Sequence, residues 1–254
     1  LVSVDDHIAA LENVGLRLAD AAARVSLDTA VPTCPGWKVR DLIQHVGGVH
    51  RWAATFVAGS RIDPYTEEEE AAFFKAPSDS ELTQWFRDGH AALVRTLREA
   101  DPDVQCWSFL PAPTPLTFWA RRQAHETAVH CFDSETSAGV APPVDGHVSA
   151  DLAVDGIDEL LCGFLARPRG ALIANPPTSL TVKPTDSPHA WTICIEPDRR
   201  VVVRTAQESD CVVSGRASDL YLFLWNRSSR DSVHVHGNAR VLDLWTAKAH
   251  VRWA

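Results

Sequence analysis

Apolar residues recur at helical spacing in four separate runs over the first 135 positions, and Pro- or Gly-bearing breaks part the runs. Ile8, Leu11, Leu18, Ala22 and Val25 share one face of a helix from Asp5 to about Val25. After Thr33-Cys34-Pro35-Gly36, a second stripe (Val39, Leu42, Val46, Val49, Ala53 and Val57) runs from about Trp37 to Ala58. Ser78-Asp79-Ser80-Glu81 fits a capping box and opens a third helix carrying Leu82, Trp85, Phe86, Leu93 and Leu97, which stops near Asp101-Pro102. Pro115 after Thr114 marks the entry of a fourth, from about Leu116 to Glu135. Helices that are apolar on one side must bury that side against one another, so the pattern predicts a four-helix bundle. The Glu67–Glu70 run reads as a solvated helix start or loop.

The pattern changes after Gly139-Val140-Ala141-Pro142-Pro143, which reads as an interdomain linker. A helix is expected from Ala150 to Leu165. Short Val-, Ile- and Thr-rich stretches bounded by Pro, Asp and Gly follow at Ser179–Lys183, Trp191–Ile195, Val201–Thr205 and Cys211–Ser214, the composition of strands. Then come a helix through Asp219–Trp225, a strand at Val233–His236 and a last helix from Val241 to Val251. The expectation is an α+β chain of two domains, 1–143 a helical bundle and 144–254 a small α+β unit.

Composition removes several functions. With 33 Asp and Glu against 24 Lys and Arg, the net charge of −9 disfavours nucleic acid as a partner. No apolar stretch approaches the roughly 20 residues that span a bilayer. Leu1–Asp6 shows no basic region leading into an apolar one, so no secretion signal is expected. The six cysteines are scattered without a CxxC pair, which argues against a zinc ribbon or a disulfide framework and for reduced, mostly buried thiols in a cytoplasmic protein.

The chemistry-bearing segment is Arg121-Arg122-Gln123-Ala124-His125-Glu126-Thr127-Ala128-Val129-His130. It is not the HExxH of zinc proteases, because His125 and His130 are five apart and diverge by roughly 140° around a helix. Glu126 and His130 are four apart, within about 40° of each other. They could share an ion, although on spacing alone such a pair is more often a helix surface pair. A third ligand must come from another helix, and His45, beside the apolar stripe of the second helix, is the best placed. His50, five residues on, cannot share its orientation. A His2Glu set leaves one coordination position open, as catalytic zinc sites do.

Four stretches carry a family resemblance. Cys34-Pro35-Gly36-Trp37-Lys38-Val39-Arg40-Asp41-Leu42-Ile43-Gln44-His45-Val46 resembles the second-helix region of the mycothiol-dependent maleylpyruvate isomerase family, whose N-terminal bundle is of the DinB type. Phe118–Glu135, with His125-Glu126-Thr127-Ala128-Val129-His130-Cys131-Phe132-Asp133, is similar to its fourth helix. Ser214–Arg227 and Val235-His236-Gly237-Asn238 resemble the family's C-terminal domain, a small α+β unit of sterol-carrier-like shape. The resemblance implies a divalent metal, typically zinc, on His45, Glu126 and His130. It also implies mycothiol, the Cys-GlcN-inositol thiol of actinobacteria, as a cofactor bound to that metal as thiolate. In the isomerase the thiolate adds to the cis double bond of maleylpyruvate, rotation follows, and elimination releases the trans product. An arginine of the C-terminal domain assists, and Arg227 matches that position best. A guanidinium there could hold a substrate carboxylate bidentately. Cys131 and Phe132 depart from the family pattern of a basic residue and an aromatic one, which puts the cavity edge in question.

The expected function is thus a metal-dependent, mycothiol-using isomerase or S-transferase acting on a small-molecule electrophile. Two other classes compete with it. One is a non-catalytic module binding metal, thiol or an apolar ligand. The other is a thiol-independent metal hydrolase, in which an open zinc site ionises water.

Overall fold

A computed structural model describes residues 2–140, 146–168 and 170–251 of the chain. The chain divides into two compact units, Val2–Pro142 and Pro143–Ala254. Ala141, Pro142 and Pro143 of the expected linker lie outside the described residues.

The first unit holds α1 (Val4–Ala22), α2 (Val39–Ala58), α3 (Glu67–Phe73), α4 (Asp79–Glu99) and α5 (Pro115–Ser137). The four long helices form the expected bundle: α1 packs on α5 and α4, and α2 packs on α4 and α5. The apolar stripes read from the sequence are its core, with Leu11, Leu18, Leu42, Val46, Ala53, Phe86, Leu93 and Leu97 buried. Arg17 grips Glu135 with two parallel bonds of 2.9 Å, fastening α1 to α5. At the next residue of α1, the Ser134 hydroxyl donates to the Leu18 carbonyl. His90 of α4 contacts the carbonyl of Leu11 at 3.0 Å, and a Cβ at Gly15 would stand 2.1 Å from that ring. Glycine is what permits this approach of α1 to α4.

One helix start follows its sequence reading and another differs from it. The glutamate run is the first turn of α3, and here a capping box forms: Thr66 Oγ1 accepts from the Glu69 N–H while Glu69 accepts from the Thr66 N–H. At α4 no reciprocal cap forms. The Ser78 hydroxyl donates to the Glu81 carboxylate at 2.6 Å, and so does not cap the backbone.

At one end of the bundle the aromatic residues gather. Trp52 and Phe56 of α2, Trp107 and Phe109 of the connector, and Phe118 and Trp119 of α5 meet with ring centroids 4.8–6.4 Å apart. Trp119 is fully buried and donates its indole N–H to the Trp107 carbonyl. Rings of this size bury more apolar area than any aliphatic side chain, which gives the Trp-rich composition a structural use.

The second unit is a five-stranded sheet with helices. Its strands are β1 (Thr178–Pro184), β2 (Trp191–Ile195), β3 (Arg200–Val203), β4 (Cys211–Gly215) and β5 (His234–Gly237), in the order β3-β2-β1-β4-β5. Only the β1–β4 pair is parallel. Helices α6 (Ala150–Asp158), α7 (Ala217–Leu224) and α8 (Arg240–Lys248) accompany it. The helix expected through Leu165 is α-helical only to Asp158 and continues as a π-helical stretch over Glu159–Leu165. Beyond that stretch Arg200 collects the carbonyls of Leu165, Arg167 and Gly170. Asp158 binds the Trp191 indole and both nitrogens of the Arg204 fork, tying α6 to the sheet. Among the described residues, no helix is long and apolar enough to cross a membrane.

Two bundle histidines make stability depend on pH. Burial holds His50 well below its ordinary value of 6.5, with the nearby His90 charge acting in the same direction, and burial also lowers His90. Both bases are neutral in the folded chain and take up protons on unfolding in acid. Their contribution is therefore complete above about pH 6.5 and is lost as pH falls from there through the folded values. Between about pH 7 and about pH 5 these two histidines pull the thermal midpoint down while the raised His130 pulls it up, so the slope of wild type should be the more downward one beside a His50→Gln/His90→Gln double variant. An equal slope in the double variant would count against these two residues as its source.

Candidate metal centre

Helix α5 breaks the rule that bundle helices bury only an apolar stripe. Arg122, Gln123, His125, Glu126, Thr127, His130, Asp133, Ser134 and Glu135 are all buried on it. Ala120, Ala124 and Ala128, each fully buried, leave room for neighbouring helices to come close. Buried charge is stable only when paired, and the pairs made on α5 build the site.

Glu126 is their centre. Its Oε1 accepts from His45 Nε2 of α2 at 3.2 Å and lies 3.4 Å from His130 Nε2, one turn along α5. Its Oε2 is 3.2 Å from Nη2 of Arg122, one turn in the other direction. The ligand atoms of His45, Glu126 and His130 all lie within 4.8 Å of one another. With ligand bonds of about 2.0–2.1 Å, a tetrahedral zinc ion separates its donors by about 3.3–3.4 Å. The spacing of the two histidines from the carboxylate is of that size, and two imidazole nitrogens with a carboxylate oxygen are donors zinc accepts. The residues present therefore fit a divalent ion. His45 keeps about a fifth of its side chain exposed, against about a tenth or less for Glu126 and His130.

The electrostatics reflect the same cluster. Burial alone would raise the Glu126 carboxyl. Hydrogen bonds from His130 and His45, and the charges of His130 and Arg122, outweigh it and hold the group well below its ordinary value. Burial would lower His130, but Asp133, Cys34 and Glu126 raise it well above the usual imidazole value. In the ion-free protein the cluster is thus an internal ion pair, His130 donating through both ring nitrogens.

The chain leading into α2 forms one wall. Trp37 N–H donates to the Cys34 carbonyl, with Pro35 and a positive-φ Gly36 (88°) between them, the sequence and bond of a type II turn. The turn sets Trp37 flat against His130, 6.0 Å between centroids and 14° between planes, and edge-on to His45. Phe74, just past α3, stacks on the other flank of His45 at 6.1 Å, its carbonyl held by Gln44. Both aromatics are half-buried.

The other histidines of the first unit have partners of their own. His50 also faces α5, its Nε2 2.8 Å from Thr127 Oγ1, so the five-residue offset from His45 shifts its position along α5 without turning it away from that helix. His125 points elsewhere, edge-on to His7 of α1 at 5.9 Å. In the second unit Arg227 follows α7, with Nη1 donating to the Trp225 carbonyl and its backbone N–H to the carbonyl of Leu222.

Sequence reasoning overlooked Arg122, Asp133, Thr33, Cys34 and Trp37. Arg122 and Asp133 carried a usable signal, since they stand four residues before Glu126 and three after His130. Thr33, Cys34 and Trp37 carried none in spacing, because a turn brings them to α5 from about a hundred residues away.

Comparison with known proteins bears on the family and the fold. Residues 8–135 match the family model described as the mycothiol maleylpyruvate isomerase N-terminal domain, and residues 151–244 match that of the corresponding C-terminal domain. The crystal structure of a mycothiol-dependent maleylpyruvate isomerase superposes with a TM-score of 0.57 at 16% identity, covering 92% of each chain. A histidine-to-alanine mutant of a mycothiol-dependent maleylpyruvate isomerase superposes with a TM-score of 0.59 at 15% identity and the same coverage. At such identities the likeness is one of fold. A comparison with curated proteins by sequence finds no match.

Arg122 has no exposed surface, and its partner Glu126 is nearly as enclosed. Replacing it by Met keeps the volume but removes a charged hydrogen bond. Arg122→Met should lower the unfolding free energy of the ion-free protein by about 2 kcal/mol, read from the denaturant midpoint. An unchanged midpoint would mean that Arg122 does not support Glu126.

Proposed function

The chain belongs to the mycothiol maleylpyruvate isomerase family, and we propose that it is a metal-dependent isomerase or S-transferase that adds mycothiol to a small electrophile. In this reading residues 1–143 form the metal-bearing bundle and 144–254 the companion α+β domain. His45, Glu126 and His130 hold the ion, zinc being the best match to the donors. The observation that carries the proposal is the convergence of these three side chains, from two helices, at separations suited to one tetrahedral ion. A divalent ion bound there supplies stabilisation of a thiol's deprotonated sulfur near neutral pH.

The chain's own groups account for the rest. Three protein ligands leave a coordination position for an external group. Arg122 balances the Glu126 carboxylate and fixes its second oxygen. Trp37 and Phe74, half-buried on either side of the histidines, bound the approach with apolar surface and exclude water from part of it. Arg227 is proposed, on the family resemblance, to hold a carboxylate of the electrophile, a task for which a planar guanidinium is suited.

Metal analysis by mass spectrometry tests the ligand set. Wild type should carry one zinc per chain, and His45→Ala and Glu126→Ala should each lose it. The zinc-loaded protein should bind mycothiol, and His130→Ala should abolish that binding. Arg227→Ala should leave zinc content intact while raising KM for the electrophile about tenfold or more, the loss of a charged hydrogen-bond pair. Turnover of esters or amides without thiol would instead support a hydrolase. A wild type that takes up no added zinc would end the metalloenzyme reading.

A further inference from the structure

Asp133 is fully buried, yet it is neither one of the three proposed ligands nor part of an exposed ion pair. A carboxylate in that position carries a desolvation cost of several kcal/mol unless donors surround it. Three do. Thr33 donates its hydroxyl to Oδ1 at 2.5 Å, the Cys34 thiol donates to Oδ2 at 3.2 Å, and His130 Nδ1 donates to the same Oδ2 at 2.8 Å. Two donors come from the turn before α2 and the third from α5 itself, so Asp133 joins both sides of the cluster through one carboxylate.

Resting on the metal-site reading above, we propose that Asp133 is the positioning residue of the centre: it holds the proton on His130 Nδ1, so that Nε2 is the nitrogen left to a metal ion. An imidazole has two nitrogens and in its neutral form only one lone pair to offer. Without a fixed acceptor at Nδ1 the proton is free to sit on Nε2, and that tautomer does not ligate through Nε2. Asp133 accepts only, because an ionised carboxylate has no hydrogen to donate. The ring is fixed in its second direction by the flat contact with Trp37. That contact depends on the same Cys34–Trp37 turn that anchors Asp133. Thr33 and Cys34 thus orient Asp133, Asp133 orients His130, and Trp37 limits the tilt of the ring.

Asp133→Asn is the discriminating variant. It keeps shape and volume, but its amide nitrogen donates and can turn towards Nδ1, placing the histidine proton on Nε2. Zinc affinity, measured by competition with a chromophoric chelator, should fall about 10–100-fold, the usual effect of removing a partner that orients a ligand. In 15N spectra of histidine-labelled protein without zinc, at a pH that leaves the ring neutral, wild-type His130 should carry its proton on Nδ1, and Asp133→Asn should show it shifted to Nε2. A merely structural role would not move that signature. Cys34→Ser, which retains a donor, should bind zinc as wild type does, whereas Cys34→Ala should bind more weakly. Wild-type zinc affinity in Asp133→Asn would overturn the inference. So would a second equivalent of zinc in wild type that Cys34→Ala removes, because Cys34, His130 and Asp133 would then be ligands in their own right. Wild type without zinc overturns the function proposed above and this inference together.

Discussion

The structure of the bundle turns on one buried carboxylate. Glu126 sits where a helical bundle normally places a leucine, and moving an ionised carboxylate there costs several kcal/mol before any partner is counted. Arg122 lies on one oxygen, and His45 and His130 on the other. Removing the positive partners would leave a charge that the fold cannot solvate. In the proposed function a divalent cation would meet the same requirement, satisfying the carboxylate and two neutral imidazoles together. Under the proposed reading, the charge on His130 stands where the cation would act on Glu126.

The rest of the bundle serves the precision of that cluster. Arg17 and Ser134 bind α5 to α1 at its far end, and the aromatic group around Trp119 seals it at its beginning. Held at both ends, α5 presents Glu126 and His130 from its middle with little freedom to slide. α2 is positioned by the stripe running from Leu42 to Val57 and by the turn that precedes it, so His45 arrives from a second rigid element. A site assembled on packed helices is held more closely than one carried on loops. Trp37, a wall taken from irregular chain, sits on a turn whose Pro35 and Gly36 both suit its backbone shape.

Much of this was legible from residue order. Helical periodicity located the four long helices because each buries an apolar stripe. The strands showed as Val- and Ile-rich runs between turn residues, with Trp191–Ile195 bounded as expected. Spacing alone also picked out His45, Glu126 and His130 as possible partners. The misses share a cause: interactions that hide from periodicity. α5 buries polar residues on most of its faces, so its inward side is defined by ion pairs, not apolar spacing. At Ser78 two groups competed for one hydroxyl, and the side-chain carboxylate won over the backbone. The π-helical stretch after Asp158 has no mark in composition. Asp133 was invisible as a partner of Thr33 and Cys34, because only the folded chain closes a gap of about a hundred residues.

The chain's own cysteines bear on where a reacting sulfur would come from. Burial raises the thiols of Cys106, Cys131 and Cys211, most strongly Cys131, enclosed against α1 beside the Glu135 carboxylate. A thiol with a raised value is rarely ionised near neutral pH, and the thiolate is the nucleophile. Cys34, nearest the candidate centre, has its hydrogen engaged by Asp133 and faces the Nδ1 side of His130, across the ring from the nitrogen that meets Glu126. It is therefore placed to support a ligand, not to attack a molecule held by one. With three of these four sulfurs raised by burial and Cys34 engaged by Asp133, none of the four is poised as a nucleophile, which suits the proposed use of a thiol brought from outside.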